Sequence, residues 1–253
     1  MCLILLAWRV HARYPLVVAA NRDEYHERGA APAGFWPDHG DVLAGRDLDA
    51  GGTWLGITRS GRFAALTNFR DPDNRLPNPP SRGQLVADFL TGDASPADYC
   101  HALDAIAAKY NGFNLLCADR DALYYCSNRS VAPHALPPGV YGLSNHLLDS
   151  PWPKVVRGKT RLAGALDALP DTAPLFDLLG DDRPATEQDI PRSGLSPEWD
   201  RLLSAAFIRS PGYGTRCSTV LCRGADQLVL FHERRFAPDG TAIGDSRFSL
   251  DLS

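Results

Sequence analysis

Met1-Cys2-Leu3-Ile4-Leu5-Leu6-Ala7-Trp8 opens the chain, and after the polar His11-Ala12-Arg13 a second apolar run, Leu16-Val17-Val18-Ala19-Ala20, leads into Asn21-Arg22-Asp23-Glu24. Both runs are short and almost without polar interruption, the pattern of strands buried on both faces. Two such runs around a polar turn predict an antiparallel hairpin. That pairing returns the chain to its starting edge, so Cys2 and residues 21–24 meet at one end of the sheet. A thiol, an amide, a guanidinium and two carboxylates in one place make a candidate site for nucleophilic catalysis.

Position 2 gives the cysteine a second property. Methionine aminopeptidase generally removes Met1 when the next residue is small, which leaves Cys2 as the mature N-terminus with thiol and α-amine on one residue. An unperturbed α-amine titrates near ~7.7 to 8.0 and a thiol near ~8.5, so the amine can take the thiol proton without a histidine. Read on its own, Cys2 is more simply a small apolar residue heading a buried strand, where free cysteine is common.

Working outward, Gly45-Arg46-Asp47, Gly51-Gly52-Thr53-Trp54-Leu55-Gly56, Thr67-Asn68-Phe69-Arg70-Asp71, Tyr141-Gly142-Leu143-Ser144-Asn145 and Gly214-Thr215-Arg216-Cys217-Ser218-Thr219 follow across nearly the whole chain. With Met-Cys at the start and Asn-Arg-Asp-Glu after the second run, the sequence resembles the NRDE family, which includes the transport and Golgi organisation protein 2 homologues. The resemblance implies an α+β fold, the four-layer αββα sandwich of N-terminal nucleophile hydrolases. Within that fold the pattern is similar to the choloylglycine hydrolase and penicillin acylase branch, whose chain also begins Met-Cys.

Carried over motif by motif, the resemblance makes Cys2 the nucleophile and, through its amine, the base. It makes Asn68 and Asn145 donors to an oxyanion, and Arg216 a cation that holds the thiolate or a substrate carbonyl. The acylase branch reads Arg-Asn-x-Asp where this chain reads Asn21-Arg22-Asp23-Glu24, so Arg and Asn are transposed. Either Arg22 supplies the guanidinium from the adjacent position or it does another job, and Glu24 rather than Asp23 is the expected carboxylate for the α-ammonium. Taken singly, Asn68 and Asn145 also read as turn residues at strand ends. Arg22 with an adjacent acid also reads as a structural ion pair, and Arg216 as a surface side chain. Their joint occurrence at strand ends groups them into a site.

The expected activity is a cysteine amidohydrolase cleaving a small, non-peptide linear amide, with Trp36, Trp54, Phe69, His146 and Trp152 as candidates for an apolar acyl pocket. No cofactor is expected on this reading. Members of the resembled family have been linked to Golgi organisation, lipid and acyl-CoA homeostasis and haem trafficking, so the alternative is a non-catalytic carrier on the same fold. In that case the ligand is acyl- or haem-like, and His26 or His146 is the candidate haem ligand.

Composition bounds these readings. At 253 residues and 44% hydrophobic content the chain suits one domain, 1–253, with a sizeable core. A net charge of -4 and the lack of a long basic block argue against a nucleic-acid partner. No run approaches the ~20 apolar residues of a membrane span, and the first run is short with no basic residue before it, so a cytoplasmic protein is expected. The six cysteines have no framework spacing and are expected to be reduced. Three lysines stand against 23 arginines, a bias without an evident function at this level. There is no Gly-x-Ser-x-Gly, Gly-x-x-x-x-Gly-Lys, His-Glu-x-x-His or Cys-x-x-Cys, which sets aside serine hydrolase, P-loop, zincin and zinc-ribbon chemistry.

Further strands are expected at 53–58, 63–68, 114–118, 122–127, 140–145, 218–223, 228–236 and 247–252. Helices are expected at 83–90, 96–109, 152–169, 173–179 and 197–206. Residues 35–47 read as a loop with a short strand, 70–82 as a Pro/Asn-rich loop, and 181–196 as a loop or lid.

Overall fold

The computed structural model describes residues 2–130 and 132–253; the expected removal of Met1 concerns a residue outside them. The opening hairpin forms as its sequence requires. β1 (Cys2–Trp8) and β2 (Leu16–Tyr25) pair antiparallel with Cys2 opposite Arg22 and Trp8 opposite Leu16. They lie inside a six-stranded sheet, flanked by β10 (Gly139–Leu143) on one side and by β11 (Tyr213–Arg223), β12 (Leu228–Phe236) and β13 (Ala242–Asp251) on the other. A second sheet holds β3 (Ala30–Phe35), β4 (Val42–Asp47), β5 (Leu55–Thr58), β6 (Phe63–Asn68), β7 (Phe113–Ala118), β8 (Leu123–Ser127) and the two-residue β9 (His134–Ala135) in sequence order.

Alternation along the strands divides their side chains between layers. Ile4, Leu6 and Trp8 of β1 pack between the sheets with Val18, Leu43, Ile57, Phe63, Leu116 and Phe231. Leu3, Leu5 and Ala7 point the other way, onto Val155 and Leu162 of α3 (Pro153–Ala165) and Leu175 and Leu178 of α4 (Ala173–Leu179). The outer face of the second sheet is covered by α1 (Gly83–Thr91) and α2 (Pro96–Asp104), through Leu85, Val86, Phe89, Cys100 and Leu103 against Ala64, Leu66, Leu115 and Cys117. The result is the four-layer αββα sandwich of the N-terminal nucleophile hydrolases. Each central strand is apolar on both faces because each is covered on both. No helix among the described residues is long and apolar enough to cross a membrane.

Several elements depart from their expected bounds, each for a local reason. β2 continues to Tyr25, so residues 21–24 lie inside the strand and not beyond it, because β11 pairs with them from the other side. Residues 30–35, where no strand was expected, form the edge strand β3 around Pro32; its register shifts between Ala31 and Gly34, and the amide of Ala33 is bound by Glu233 Oε1 at 2.8 Å. The helix expected at 96–109 stops at Asp104 and resumes as a 3₁₀ turn, Ala107–Lys109. The longest helix likewise ends at Ala165 in a 3₁₀ turn, Leu166–Ala168, and α5 (Pro197–Leu202) is shorter than expected. β11 and β13 start earlier than their apolar runs, at Tyr213 and Ala242. All six cysteines are unbridged, and Cys117 pairs with Tyr124, Cys126 with Leu115.

The double glycine at 51–52 has a packing reason. Gly51 sits at φ +77°, and a Cβ on Gly52 would lie 2.4 Å from the carbonyl carbon of Gly83. The two backbones touch there, and the amide of Thr53 donates to the carbonyl of Gly83 at 3.2 Å. This contact docks the start of α1, with Arg82, against the end of the second sheet. Gly52→Ala is therefore expected to lower stability by about 2 kcal/mol, in the range for overpacking a filled site, as a shift in urea midpoint at constant slope.

Candidate active site

The register that pairs Cys2 with Arg22 also pairs Arg22 with Cys217 on β11, so the three side chains form a row on the face turned toward the second sheet. They border a cavity of about 450 Å³ between the ends of the two sheets. Of the residues expected from sequence, Cys2, Arg22, Asp23, Glu24, Trp54, Asn68 and Arg216 border it. Residues that were not expected also do, chiefly Arg28, Asp47, Arg82, Cys217, Glu233 and Arg235.

Cys2 is 9% exposed. Burial pushes its thiol above the ordinary range; the carboxylate of Asp23 adds to the rise and Arg22 opposes it. Arg22 is itself buried. Its Nη2 lies 3.9 Å from Asp47 Oδ2, while Nη1 has no hydrogen-bond partner among the described residues. Asp47 explains the Gly-Arg-Asp motif. Its carboxylate accepts from Arg28 Nε at 2.8 Å and from the amides of Asp49 and Ala50 at 3.0 Å. Burial pushes this carboxyl up, but those donors win and hold it below the usual range.

The four residues at 21–24 divide by strand parity. Arg22 and Glu24 share the inter-sheet face with Cys2, whereas Asn21 and Asp23 share the helix-covered face with Val17 and Ala19. Asn21 is fully buried and its amide is committed: Nδ2 donates to the carbonyls of Leu179 and Ala206 at 2.8 Å, and Oδ1 accepts from Ser218 Oγ at 2.6 Å. Its expected catalytic role gives way to a structural one, pinning β2 and β11 to the chain beyond α4. Glu24 was the expected partner of the α-ammonium, but its Oε1 accepts from the amide of Tyr25 at 2.9 Å. The carboxylate whose charge reaches Cys2 is Asp23, whose Oδ1 accepts from Thr215 Oγ1 at 2.7 Å.

Arg216 occupies a bulge between Thr215 and Cys217. Its Nη1 donates to the carbonyls of Tyr25, His26 and Arg28 at 2.8, 3.2 and 3.3 Å, so the guanidinium clamps the chain leaving β2. The side-chain amide of Asn145 is bound to backbone. It is fully buried, does not border the cavity, and its Nδ2 donates to the carbonyl of Asn68 at 2.8 Å. Ser144 Oγ donates to the carbonyl of Cys2 at 2.9 Å. The Ser-Asn pair thus ties β1 to the end of β6, where Asn68 borders the cavity.

Of the aromatic candidates, Trp54 borders the cavity and the others do not. Phe69, His146 and Trp152 stack on one another, with ring centroids 5.1 and 5.9 Å apart, and Trp36 belongs to the cluster under α1 and α2. His146 Nδ1 is hydrogen-bonded to Ser150 Oγ at 2.7 Å and His26 Nε2 to the Ser210 carbonyl at 3.0 Å, both away from the cavity. No cluster of three or more potential metal ligands occurs among the described residues.

Two buried ionisable groups escaped the sequence reading although periodicity marks both. Lys154 is one turn before Gly158 on the stripe of α3 that carries Leu162 into the sheet, and it is 2% exposed. Glu233 follows Val229 and Phe231 on the inner face of β12. Burial raises the Glu233 carboxyl and pushes the adjacent Cys217 thiol well up. Arg28 and Arg82, by contrast, lie outside any apolar repeat and carry no such signal.

Known proteins bear on the family and the fold of this chain. The model of a family described as Transport and Golgi organisation 2 matches residues 1–238. The Transport and Golgi organization protein 2 homolog of Bos taurus is 41% identical over 242 residues, 87% of this chain and 86% of that one. The Homo sapiens homolog is 37% identical over 243 residues, again 87% and 86%. Among solved structures, the Caenorhabditis elegans ortholog of N-acylethanolamine-hydrolyzing acid amidase superposes with a TM-score of 0.50 at 11% identity, over 87% of this chain and 92% of that one, a likeness of fold.

The division at 21–24 has a direct consequence. Asn21→Leu strands two carbonyls and a hydroxyl and is expected to lower stability by at least about 2 kcal/mol. Glu24→Gln is expected to stay within about 0.5 kcal/mol of wild type. Chemical denaturation of the two variants side by side checks the contrast.

Proposed function

The chain belongs to the Transport and Golgi organisation 2 family, and from its cavity chemistry we propose that it is a cysteine N-terminal nucleophile amidohydrolase of a small, non-peptide linear amide. One observation carries this reading. The residue that becomes the N-terminus on loss of Met1 is a cysteine on the wall of a cavity, with a buried guanidinium directly across the strand pair.

The chemistry follows from where the groups lie. Burial alone keeps the Cys2 thiol protonated at neutral pH, so a base is needed. The Cys2 α-amine, once liberated, is the base within reach. It takes the thiol proton, and the thiolate sulfur attacks the amide carbon, turning the C=O π bond into an oxyanion. Asn68 is the side-chain amide on the cavity wall suited to donate to that oxygen. Arg22 provides positive charge beside the sulfur in a site where water screens little. Collapse of the intermediate breaks the C–N bond, with the α-ammonium giving its proton to the leaving amine. Water then attacks the thioester, loses its proton to the same amine, and releases the acid.

In this reading Asn145, Arg216 and Asn21 serve the site by fixing backbone. Asn145 holds the strand end that presents Asn68, and Arg216 holds the segment that carries Arg28 to Asp47. The cavity wall is more polar than an acyl pocket built of tryptophans, which favours small substrates with a polar portion.

The test has two parts. Intact mass and peptide mapping after brief iodoacetamide treatment are expected to show Met1 lost and Cys2 alkylated fastest of the six cysteines. Against a panel of small amides, Cys2→Ala is expected to abolish hydrolysis while the cooperative thermal transition is retained. Hydrolysis by a folded Cys2→Ala protein would overturn the mechanism.

A further inference from the structure

Beneath the nucleophile, on the helix-covered face of the first sheet, lies a buried cation that the reaction just described does not use. Lys154 is in the first turn of α3, its side chain is 2% exposed, and its Nζ has no hydrogen-bond partner among the described residues. Among the described residues, the charges that act on it are those of Asp23 from β2, Arg70 from the segment after β6, and Cys2 from β1. Arg70 is occupied elsewhere, 3.3 Å from Asp200 of α5 and stacked over Trp152 at 4.9 Å. An ammonium is not kept in such a place for packing alone, since methionine or leucine would fill the volume without the desolvation.

Counting charge shows what it can do. For the amidohydrolase mechanism to start, this end of the sheet must hold a Cys2 thiolate, an α-ammonium and an ionised Asp23 together. Those three sum to one negative charge in a buried site. The buried cations that offset it are Arg22, across the strand pair, and Lys154, from the helix-covered face. Burial pushes the Asp23 carboxyl up, and Lys154 is among the groups that bring it back toward ionisation. Burial also draws Lys154 down to about 8, with Asp23 opposing the fall and Arg70 adding to it. The ammonium therefore persists at neutral pH while remaining sensitive to its neighbours.

We propose that Lys154 is a positioning residue of the candidate active site, whose buried ammonium, one turn before the point where Gly158 of α3 packs on Leu5 of β1, supplies positive charge that favours the Cys2 thiolate and the neutral α-amine. The proposal rests on the N-terminal nucleophile reading for its consequence, and on the burial of a lysine Nζ with no hydrogen-bond partner among the described residues for its cause. Removing the cation disfavours both the thiolate and the neutral form of the α-amine. Both effects move the onset of reactivity upward in pH.

The experiment measures the pH dependence of Cys2 alkylation by iodoacetamide, read by peptide mapping on protein that has lost Met1. The forms compared are wild type, Lys154→Met and Lys154→Arg. Lys154→Met is expected to raise the midpoint by about one pH unit and slow alkylation at pH 7 about tenfold, with Lys154→Arg within about threefold of wild type. A folded Lys154→Met protein with an unchanged midpoint overturns the proposal.

A second measurement is independent of Cys2 reactivity and of how the Met variant folds. The chain has three lysines, Lys109, Lys154 and Lys159, so ¹³C-lysine labelling gives three resolvable Cε titrations. Lys154 is expected to titrate near 8 and to fall by about one unit in Asp23→Asn. An ordinary lysine midpoint, unmoved by Asp23→Asn, overturns the proposal. If Cys2 is inert in wild type while Lys154 titrates as expected, the charge pair stands and the amidohydrolase reading falls.

Discussion

If β1 slid by one residue against β2, Cys2 would leave Arg22 and the cavity and turn toward the helices, because side chains alternate along a strand. The same slip would move Ile4, Leu6 and Trp8 out of the inter-sheet core. Register and site are therefore one constraint. It is set by the opposite ends of the two strands, where Trp8 faces Leu16 across the turn. The slip is costly in both directions because both faces are buried: Leu3, Leu5 and Ala7 pack under α3 as tightly as their neighbours pack against the second sheet. A strand with one solvated face would fix its register less firmly. The cavity lies where this doubly covered sheet runs out of apolar residues, and so its polar groups are held by a scaffold that cannot shift.

That architecture explains what could be read in advance. Apolar runs such as those of β1, β2 and β7 announce strands buried on both sides, and the order of strands, helices and strands fits two sheets each covered by helices. The recurring glycines were legible as motif but not as mechanism. Only the contact between the backbones at 52 and 83 shows why a side chain is excluded there. β3 was not legible because an edge strand built around Pro32 has neither branched residues nor alternation to betray it. The early start of β11 was hidden for a related reason, since Tyr213-Gly214-Thr215-Arg216 reaches the ladder through a bulge.

The candidate site was legible as a location and less so as a set of roles. Sequence gathered Asn21, Asn68, Asn145 and Arg216 at strand ends; Asn68 closes β6 and Asn145 follows β10, whereas Asn21 and Arg216 lie within β2 and β11. It could not tell which donors are already spent. Asn21 and Asn145 donate from their side-chain amides to backbone carbonyls, while Asn68 borders the cavity. The distinction is a matter of partners many residues away in the chain, such as Leu179 and Ala206 for Asn21, and no local pattern encodes it. Parity does encode the rest. Once residues 21–24 are placed within β2, alternation alone assigns Asp23 to the helix side and Glu24 to the cavity side.

The unequal use of arginine and lysine, opaque in composition, acquires a physical sense in three dimensions. Arginines do structural work that a lysine ammonium does poorly, because a planar fork can bind several carbonyls in fixed directions. Arg216 gathers three carbonyls at the exit of β2, Arg62 holds those of Phe89 and Ala94 at the end of α1, and Arg223 holds those of Gly61 and Asp119. Such guanidiniums keep their charge when buried and so cannot serve as pH-sensitive groups. A lysine in the same surroundings titrates within reach of neutral pH. Of the three lysines, Lys159 pairs with Asp149 at the surface and Lys109 is exposed in the 3₁₀ turn after α2; Lys154 alone is enclosed, and it is enclosed beside Cys2 and Asp23. A chain that meets its structural need for cations with arginine buries one lysine, on the helix-covered side of the strand that begins at Cys2.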